Sequence, residues 1–270
     1  MFSYLGGKKF QAKWIASHFI KHDTYVEPFG GAFWVYFTST INSEKNVYND
    51  FNRYLTNIFY CATHKREEFL KKLNQYRPQV ETLFKKFKDE LVPLDYNVEL
   101  GDVDLAAKYI YIETQTFSGL TIDKAKFVDL KGKYKSKYEH FIDKLNNTKY
   151  INKLDNITDI ENESYEDVIK KYDGKYTLFY VDPPYFDMED YYTKEFDQKE
   201  HENLANILKS IKGKFVLSYY DFPKLKKWFP TDKFYWKEKD FNRQNSSKTV
   251  DNDKGKEILI MNFKPALTLE

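Results

Sequence analysis

Asp182-Pro183-Pro184-Tyr185 follows an apolar run, Thr177-Leu178-Phe179-Tyr180-Val181, with the length and composition of a buried strand. Two successive prolines end that strand and remove two backbone donors, which leaves carbonyl oxygens beside the carboxylate as outward acceptors. A carboxylate and a carbonyl held side by side can accept both hydrogens of an exocyclic amino group. Tyr185 offers a flat face on which the ring carrying that amine can stack. An amino nitrogen conjugated to a purine is a poor nucleophile because its lone pair is delocalised. Two acceptors on its hydrogens favour the pyramidal form with an available lone pair, which is selective stabilisation of a transition state. Without the strand before it, the tetrapeptide would be a rigid turn with a surface acid; the strand favours the amine grip.

A second group of polar and glycine residues ends an earlier run. Thr24-Tyr25-Val26-Glu27 reads as a short strand stopped by Pro28, Phe29 and the pair Gly30-Gly31. Glycines there let a small ligand approach the backbone closely. The spacing is not that of G-x-G-x-x-G, and Gly6-Gly7-Lys8 lacks the spacing and the Ser/Thr of a phosphate loop. A glycine-lined site without a phosphate cradle is indicated. Asn46-Val47-Tyr48-Asn49-Asp50 reads as a second strand, whose terminal acid is placed to accept hydrogen bonds from ribose hydroxyls.

The elements that must hold these residues form an α/β pattern. Apolar spacing predicts helices over Gln11 to Ile20, Ala32 to Thr38 and Arg53 to Thr63, so that strand, glycine turn, helix and strand make a βαβ unit. From about Lys65 to Lys149 the character changes to Lys-rich helical stretches, among them Glu67–Leu73, Glu81–Leu91 and Leu105–Thr114. A basic, aromatic segment follows, with Lys124, Lys126, Lys131, Lys133, Lys135 and Lys137 interleaved with Phe127, Tyr134 and Tyr138. It reads either as a solvated surface or as a lobe that lies on phosphates. The α/β pattern resumes at Thr177–Val181, continues with an amphipathic helix over Gln198 to Ile211, and has further buried-type strands at Lys214–Ser218 and Glu257–Phe263. Between these lies Asn242 to Lys256, polar and glycine-containing, read as mobile.

With 43 basic and 41 acidic residues the net charge is +2, far from the basicity of a protein held on nucleic acid by charge alone. Any basic groups that meet DNA must therefore be concentrated on one face. The single cysteine, Cys61, excludes an internal disulfide framework and a cysteine-based zinc site, and its apolar helical setting reads as a packed thiol. None of the five histidines has the partner spacing of a metal ligand or general base, so no metal is expected. No apolar run is long enough to span a bilayer and the N-terminus is too polar for a signal peptide, so a cytoplasmic protein is expected.

Taken in order, several segments resemble the Dam-type, or D12-class, DNA adenine-N6 methyltransferases, over nearly the whole chain. They are Tyr4-Leu5-Gly6-Gly7-Lys8, Val26-Glu27-Pro28-Phe29-Gly30-Gly31-Ala32, Tyr48-Asn49-Asp50-Phe51-Asn52 and Thr116-Phe117-Ser118-Gly119-Leu120. Phe179–Tyr185, Phe215–Tyr219 and Glu257–Phe263 complete the set. The resemblance implies a Rossmann-like core that uses S-adenosyl-L-methionine and releases S-adenosyl-L-homocysteine, formed by residues 1–64 and 150–270. A mostly helical target-recognition lobe would be inserted at 65–149. It also implies that Tyr4 and Lys8 lie near the methionine end of the cofactor, Lys8 being near the extruded base as well. Glu27, Phe29 and Gly30 would line the cofactor, Asp50 would hold its ribose, Phe51 would lie against its adenine and Asp159 near that adenine's amino group. Asp182, Pro183, Pro184 and Tyr185 would grip the target base, Asp182 bordering the cofactor too. The Phe-Gly-Gly-Ala turn departs from the Gly-x-Gly form of many relatives.

On this reading the methyl passes directly to adenine N6 of a base flipped out of duplex DNA, with no covalent enzyme intermediate, because Cys61 is a poor thiolate nucleophile. Phe117, Ser118 and Leu120 would enter the gap the base leaves, although Thr116–Leu120 also reads as an ordinary Ser-Gly turn. Lys124, Lys126, Lys133, Lys135 and Lys137 would contact phosphates, and Arg243 and Lys248 would join them in a loop that orders on DNA or serves as a plain connector. A DNA-bound enzyme would be nucleoid-associated, and a cognate restriction endonuclease is a partner the resemblance allows. Three alternatives remain at this point: cytosine N4, an adenine in RNA, or a DNA-binding module without transfer activity.

Overall fold

The computed structural model describes residues 1–2, 7–40, 42–95, 97–116, 122–128, 136–186, 196–242 and 254–265. Tyr4, Phe117, Ser118, Leu120, Lys133, Lys135, Arg243 and Lys248 lie outside the described residues.

Seven strands form one sheet: β1 (Thr24–Glu27), β2 (Lys45–Asn49), β3 (Asp159–Glu161), β4 (Thr177–Val181), β5 (Lys214–Tyr219), β6 (Tyr235–Asn242) and β7 (Lys254–Met261). Their spatial order is β3-β2-β1-β4-β5-β7-β6. From β3 to β5 all neighbours are parallel, while β7 runs antiparallel to both β5 and β6. A parallel sheet must be covered on both faces, and this one is. Side chains alternate along each strand, so Leu178 and Tyr180 of β4 enter one hydrophobic cluster and Phe179 and Val181 the other. Tyr25 and Val26 of β1 divide in the same way, as do Leu259 and Ile258 of β7.

One face is covered by α1 (Ala12–Ala16), α2 (Trp34–Thr38), α3 (Arg53–His64) and a run of helices comprising α4 (Arg66–Gln75), α5 (Glu81–Leu91), α6 (Val103–Thr114), α7 (Lys137–Leu145) and α8 (Thr148–Asp155). The Lys-rich helical stretch thus shares a core with the sheet: Phe69, Phe87, Tyr111 and Phe141 belong to the same cluster as Tyr25 and Tyr180. The other face is covered by α9 (Tyr165–Tyr172), α10 (Gln198–Ser210) and α11 (Leu225–Trp228).

Several elements depart from the sequence expectation. The helix expected over Gln11 to Ile20 ends at Ala16, and the Ser17 hydroxyl bonds back to the Trp14 carbonyl at 2.7 Å, a side-chain competitor for the helical backbone pattern. β6, Tyr-Trp-Lys-Glu-Lys-Asp-Phe-Asn, carries four charges in eight residues and did not read as a strand. It is an edge strand, where lysines and acids are at home. β7 begins at Lys254, so Glu257 lies inside a strand rather than at its start.

Strand order reverses between β1 and β4, because β1 continues to β2 on one side and β4 to β5 on the other. Ligands of open α/β sheets bind at the carboxyl ends of strands beside such a switch. Those ends carry Glu27–Gly31, Asp50 and Asp182–Tyr185.

Candidate active site

Asp182 leaves β4 with its side chain 17 % exposed, and Lys8, from the N-terminal segment, meets it there. The Lys8 ammonium is 3.0 Å from Asp182 Oδ1 and 3.6 Å from Glu257 Oε1. It also donates to the Tyr185 hydroxyl and stands 4.5 Å from the centre of that ring. Tyr185 donates in turn to Glu257 Oε1 at 3.1 Å, and Ser218 of β5 donates to the same oxygen. On its protein side Tyr185 stacks on Tyr219, with ring centres 5.9 Å apart.

Burial alone would lower the Lys8 pKa; the carboxylates of Asp182 and Glu257 outweigh it and hold the ammonium charged. Burial pushes Asp182 up to about 6, Lys8 works against the shift and Glu257 adds to it. The Tyr180 hydroxyl, buried beside them, is raised by burial first and by Asp182 second.

The glycine turn is built on β2. Gly30 N donates to the Asn49 carbonyl at 2.7 Å, and a Cβ on Gly30 would sit 2.4 Å from the Tyr48 ring and 2.9 Å from Asn49 O. Gly31 has φ +48° and Phe33 φ +58°, the latter a strained value for a bulky residue. Asp50 braces this bend: its Oδ2 accepts from Gly31 N at 2.8 Å and its Oδ1 from Asn52 N at 2.8 Å. Burial pushes the Asp50 carboxyl up to about 6, against those two N–H donors. Phe51, the next residue, is 62 % exposed.

The remaining described residues singled out from the sequence lie in separate surroundings. Glu27 is buried, its Oε1 accepting from Tyr25 OH at 2.6 Å and from Tyr36 N at 3.1 Å, and burial raises its pKa well above the usual range. Phe29 packs between Tyr165 and Phe196. Asp159 stands at the start of β3, paired with Lys45 at 3.3 Å and accepting from the Thr158 hydroxyl, while Asn162 is the residue whose amide reaches the carbonyls of Asp50 and Phe51. Lys124 and Lys126 are exposed on a segment that folds back on the end of α6, where Val128 N donates to Gln115 O at 2.8 Å. Lys137 Nζ lies 3.5 Å from Thr116 O, and Lys126 N donates to the Thr116 hydroxyl at 3.3 Å, so both segments meet at Thr116.

The family model for D12 class N6 adenine-specific DNA methyltransferases matches residues 4–245 of the 270. The chain belongs to that family. It is a methyltransferase that modifies adenine N6 in DNA, and its seven-strand, mostly parallel sheet is the Rossmann-like core of such an enzyme. A search of curated proteins finds no match. No helix among the described residues is long and apolar enough to cross a membrane.

Glu257, Ser218, Asn49 and Asn162 were given no role from the sequence. Asn49 ties two loops together, its amide donating to Pro28 O at 2.7 Å and its carbonyl accepting from Glu163 N at 2.9 Å. A usable signal existed for Glu257 and Ser218: each is a buried polar residue adjoining an apolar run, and buried polar groups require partners. Glu257 lies beyond the stretch matched by the family model.

Proposed function

We propose that this enzyme transfers the methyl group of S-adenosyl-L-methionine to N6 of an adenine flipped out of duplex DNA. The observation that carries the reading is Asp182, an acid at the end of β4, held beside Lys8 at 3.0 Å and followed by two prolines and Tyr185 at the switch point of the sheet.

The residues around the glycine turn suit a nucleoside cofactor without phosphates. Each Asp50 oxygen holds one backbone N–H and keeps capacity for a ribose hydroxyl. Phe51 presents an exposed apolar face for an adenine ring. The turn at Gly30 and Gly31 is bare of side chains and of basic groups. Lys8, Glu27, Phe29, Gly30, Asp50 and Phe51 therefore form the proposed cofactor site, with Asp182 at its border. Asp159, partly exposed and paired with Lys45 at 3.3 Å, is proposed near the amino group of the cofactor's adenine. When bound, the cofactor supplies a sulfonium-activated methyl and departs as S-adenosyl-L-homocysteine.

The chain's own groups act on the amine. An Asp182 carboxylate oxygen and the Pro183 carbonyl accept the two N6 hydrogens, which directs the lone pair out of the ring plane. The hydrogen on Asp182 passes to that carboxylate as N6 gains its substituent. Tyr185 supplies a stacking face worth about 1–3 kcal/mol per base, comparable with the few kcal/mol that flipping costs. Residues 65–149 are proposed as the target-recognition lobe, with Lys124, Lys126 and Lys137 on phosphates and Phe117, Ser118 and Leu120 at the vacated gap. Lys133, Lys135, Arg243 and Lys248 would add phosphate contacts, and the DNA-bound enzyme would work in the cytoplasm.

The test uses cofactor labelled in its methyl group and unmethylated duplex DNA, digested to nucleosides after reaction. Label in N6-methyladenosine of the deoxy series is the expected result. Label in N4-methylcytosine, or DNA binding with no label transferred, would overturn the reading.

A further inference from the structure

We infer that Glu257 is a positioning residue that gives Lys8 a second seat, so that the ammonium can leave Asp182 when the target amine enters. The inference rests on the proposed methyl-transfer site. As the enzyme stands, the Lys8 ammonium occupies the carboxylate that the amine needs and sits at the hydroxyl end of the Tyr185 ring. The carboxylate must be vacated. A buried ammonium that moves away from its counter-ion without another is costly, and the buried-ion penalty would then oppose substrate entry.

Glu257 removes that obstacle. It is 2 % exposed, a place where a carboxylate is tolerated only if it is paired. Its Oε1 is 3.6 Å from the ammonium already, so only a short shift transfers the contact. Ser218 donates to this same oxygen, and Tyr185 donates to it at 3.1 Å, so the acceptor is aimed before Lys8 arrives. Two carboxylates with one ammonium between them make a seat that can be exchanged. Asp182 gives up its cation and recovers lone pairs for N6, while Lys8 stays paired.

Asp182 is faced by Lys8 from the N-terminal segment, Tyr180 from its own strand, Glu27 from β1, Glu257 from β7, and Tyr185 beyond the prolines. Removing the Glu257 charge therefore has two effects of opposite appearance. Lys8 stays on Asp182, so turnover falls; Asp182 loses a neighbouring negative charge, so its pKa drops below about 6. General damage to the fold would lower turnover without moving the acid limb of the rate profile downward.

The experiment measures kcat, KM for DNA, cofactor Kd and the pH profile of Glu257→Gln against the wild type with labelled cofactor and duplex DNA. Expected are a kcat lower by about tenfold or more, a cofactor Kd unchanged within about twofold, and an acid limb displaced to lower pH. Wild-type kcat, or an unmoved acid limb, in a folded Glu257→Gln enzyme overturns the inference alone. A wild type that transfers no label overturns the methyl-transfer reading beneath it. If Glu257→Gln does not fold, Ser218→Ala decides, since it leaves the charge and removes one donor that aims it: reduced kcat with unchanged cofactor Kd supports the second seat, and unchanged kcat overturns it.

Discussion

Asp182 and Asp50 are both carboxylates that burial pushes up to about 6, yet their neighbours assign them different work. Asp182 faces an ammonium and a tyrosine hydroxyl network, whereas Asp50 is gripped by two backbone N–H groups, one from the glycine bend and one from Asn52. Asp182→Ala is expected to reduce kcat by orders of magnitude while cofactor Kd changes little; Asp50→Ala is expected to raise cofactor Kd first. Equilibrium dialysis with labelled cofactor and single-turnover transfer separate the two, and equal loss of cofactor affinity in both variants contradicts the assignment. The pH dependence follows from the same shift. Asp182 can take the N6 hydrogen only when ionised, so transfer should be full above about pH 7 and fall as pH drops through about 6, the raised value, rather than near 4. A wild-type profile flat down to pH 5 would show that this carboxylate does not carry the step. Cys61 belongs to the same scale: it is buried, its thiol pushed up to about 12 by burial, and it holds no thiolate for attack on a base.

At the scale of elements, the glycine turn beside Asp50 is braced by the neighbouring strand β2. Gly30 is the clearest case. Gly30→Ala would drive a methyl group to 2.4 Å from the Tyr48 ring and 2.9 Å from the Asn49 carbonyl, neither of which can yield without moving β2. A loss of about 1–3 kcal/mol in unfolding free energy is expected, with weaker cofactor binding, measured by urea denaturation and dialysis. An unfolding midpoint within error of the wild type would refute the packing account. The same element shows why parts of the structure could be read in advance. Thr177–Val181 and Glu81–Leu91 were legible to the residue, because one is a continuous apolar run and the other a strong amphipathic stripe. β3 and β6 were not, since three residues carry no period and a charged edge strand hides its pairing in the partner. Within the site, Asp182 and Asp50 announced themselves by ending strands. Glu257 showed only as an acid beside an apolar run, because its meeting with Lys8 and Asp182 depends on β7 lying beside β5, a long-range adjacency.

For the whole molecule, a net charge of +2 cannot hold a DNA duplex by itself, so phosphate contacts must come from local clusters. Lys124 and Lys126 are exposed on a segment that folds back on the end of α6, whose apolar residues are packed into the core of the sheet. A DNA-facing surface there would be fixed to the catalytic ends of the strands through one continuous core rather than through a flexible joint. Charge removal at such a surface should change binding and leave chemistry intact. Lys124→Gln with Lys126→Gln is expected to weaken duplex binding to all sequences alike and to reduce the slope of log K against log salt by about 2, one for each lost phosphate contact. Turnover at saturating DNA and cofactor Kd should stay at wild-type values, because neither lysine touches Asp182, Asp50 or Lys8. Fluorescence anisotropy over a salt series gives the slope directly. An unchanged slope would place the phosphate contacts elsewhere on the molecule, whereas a lowered kcat at saturation would mean that the lobe helps to present the base as well as to hold the backbone.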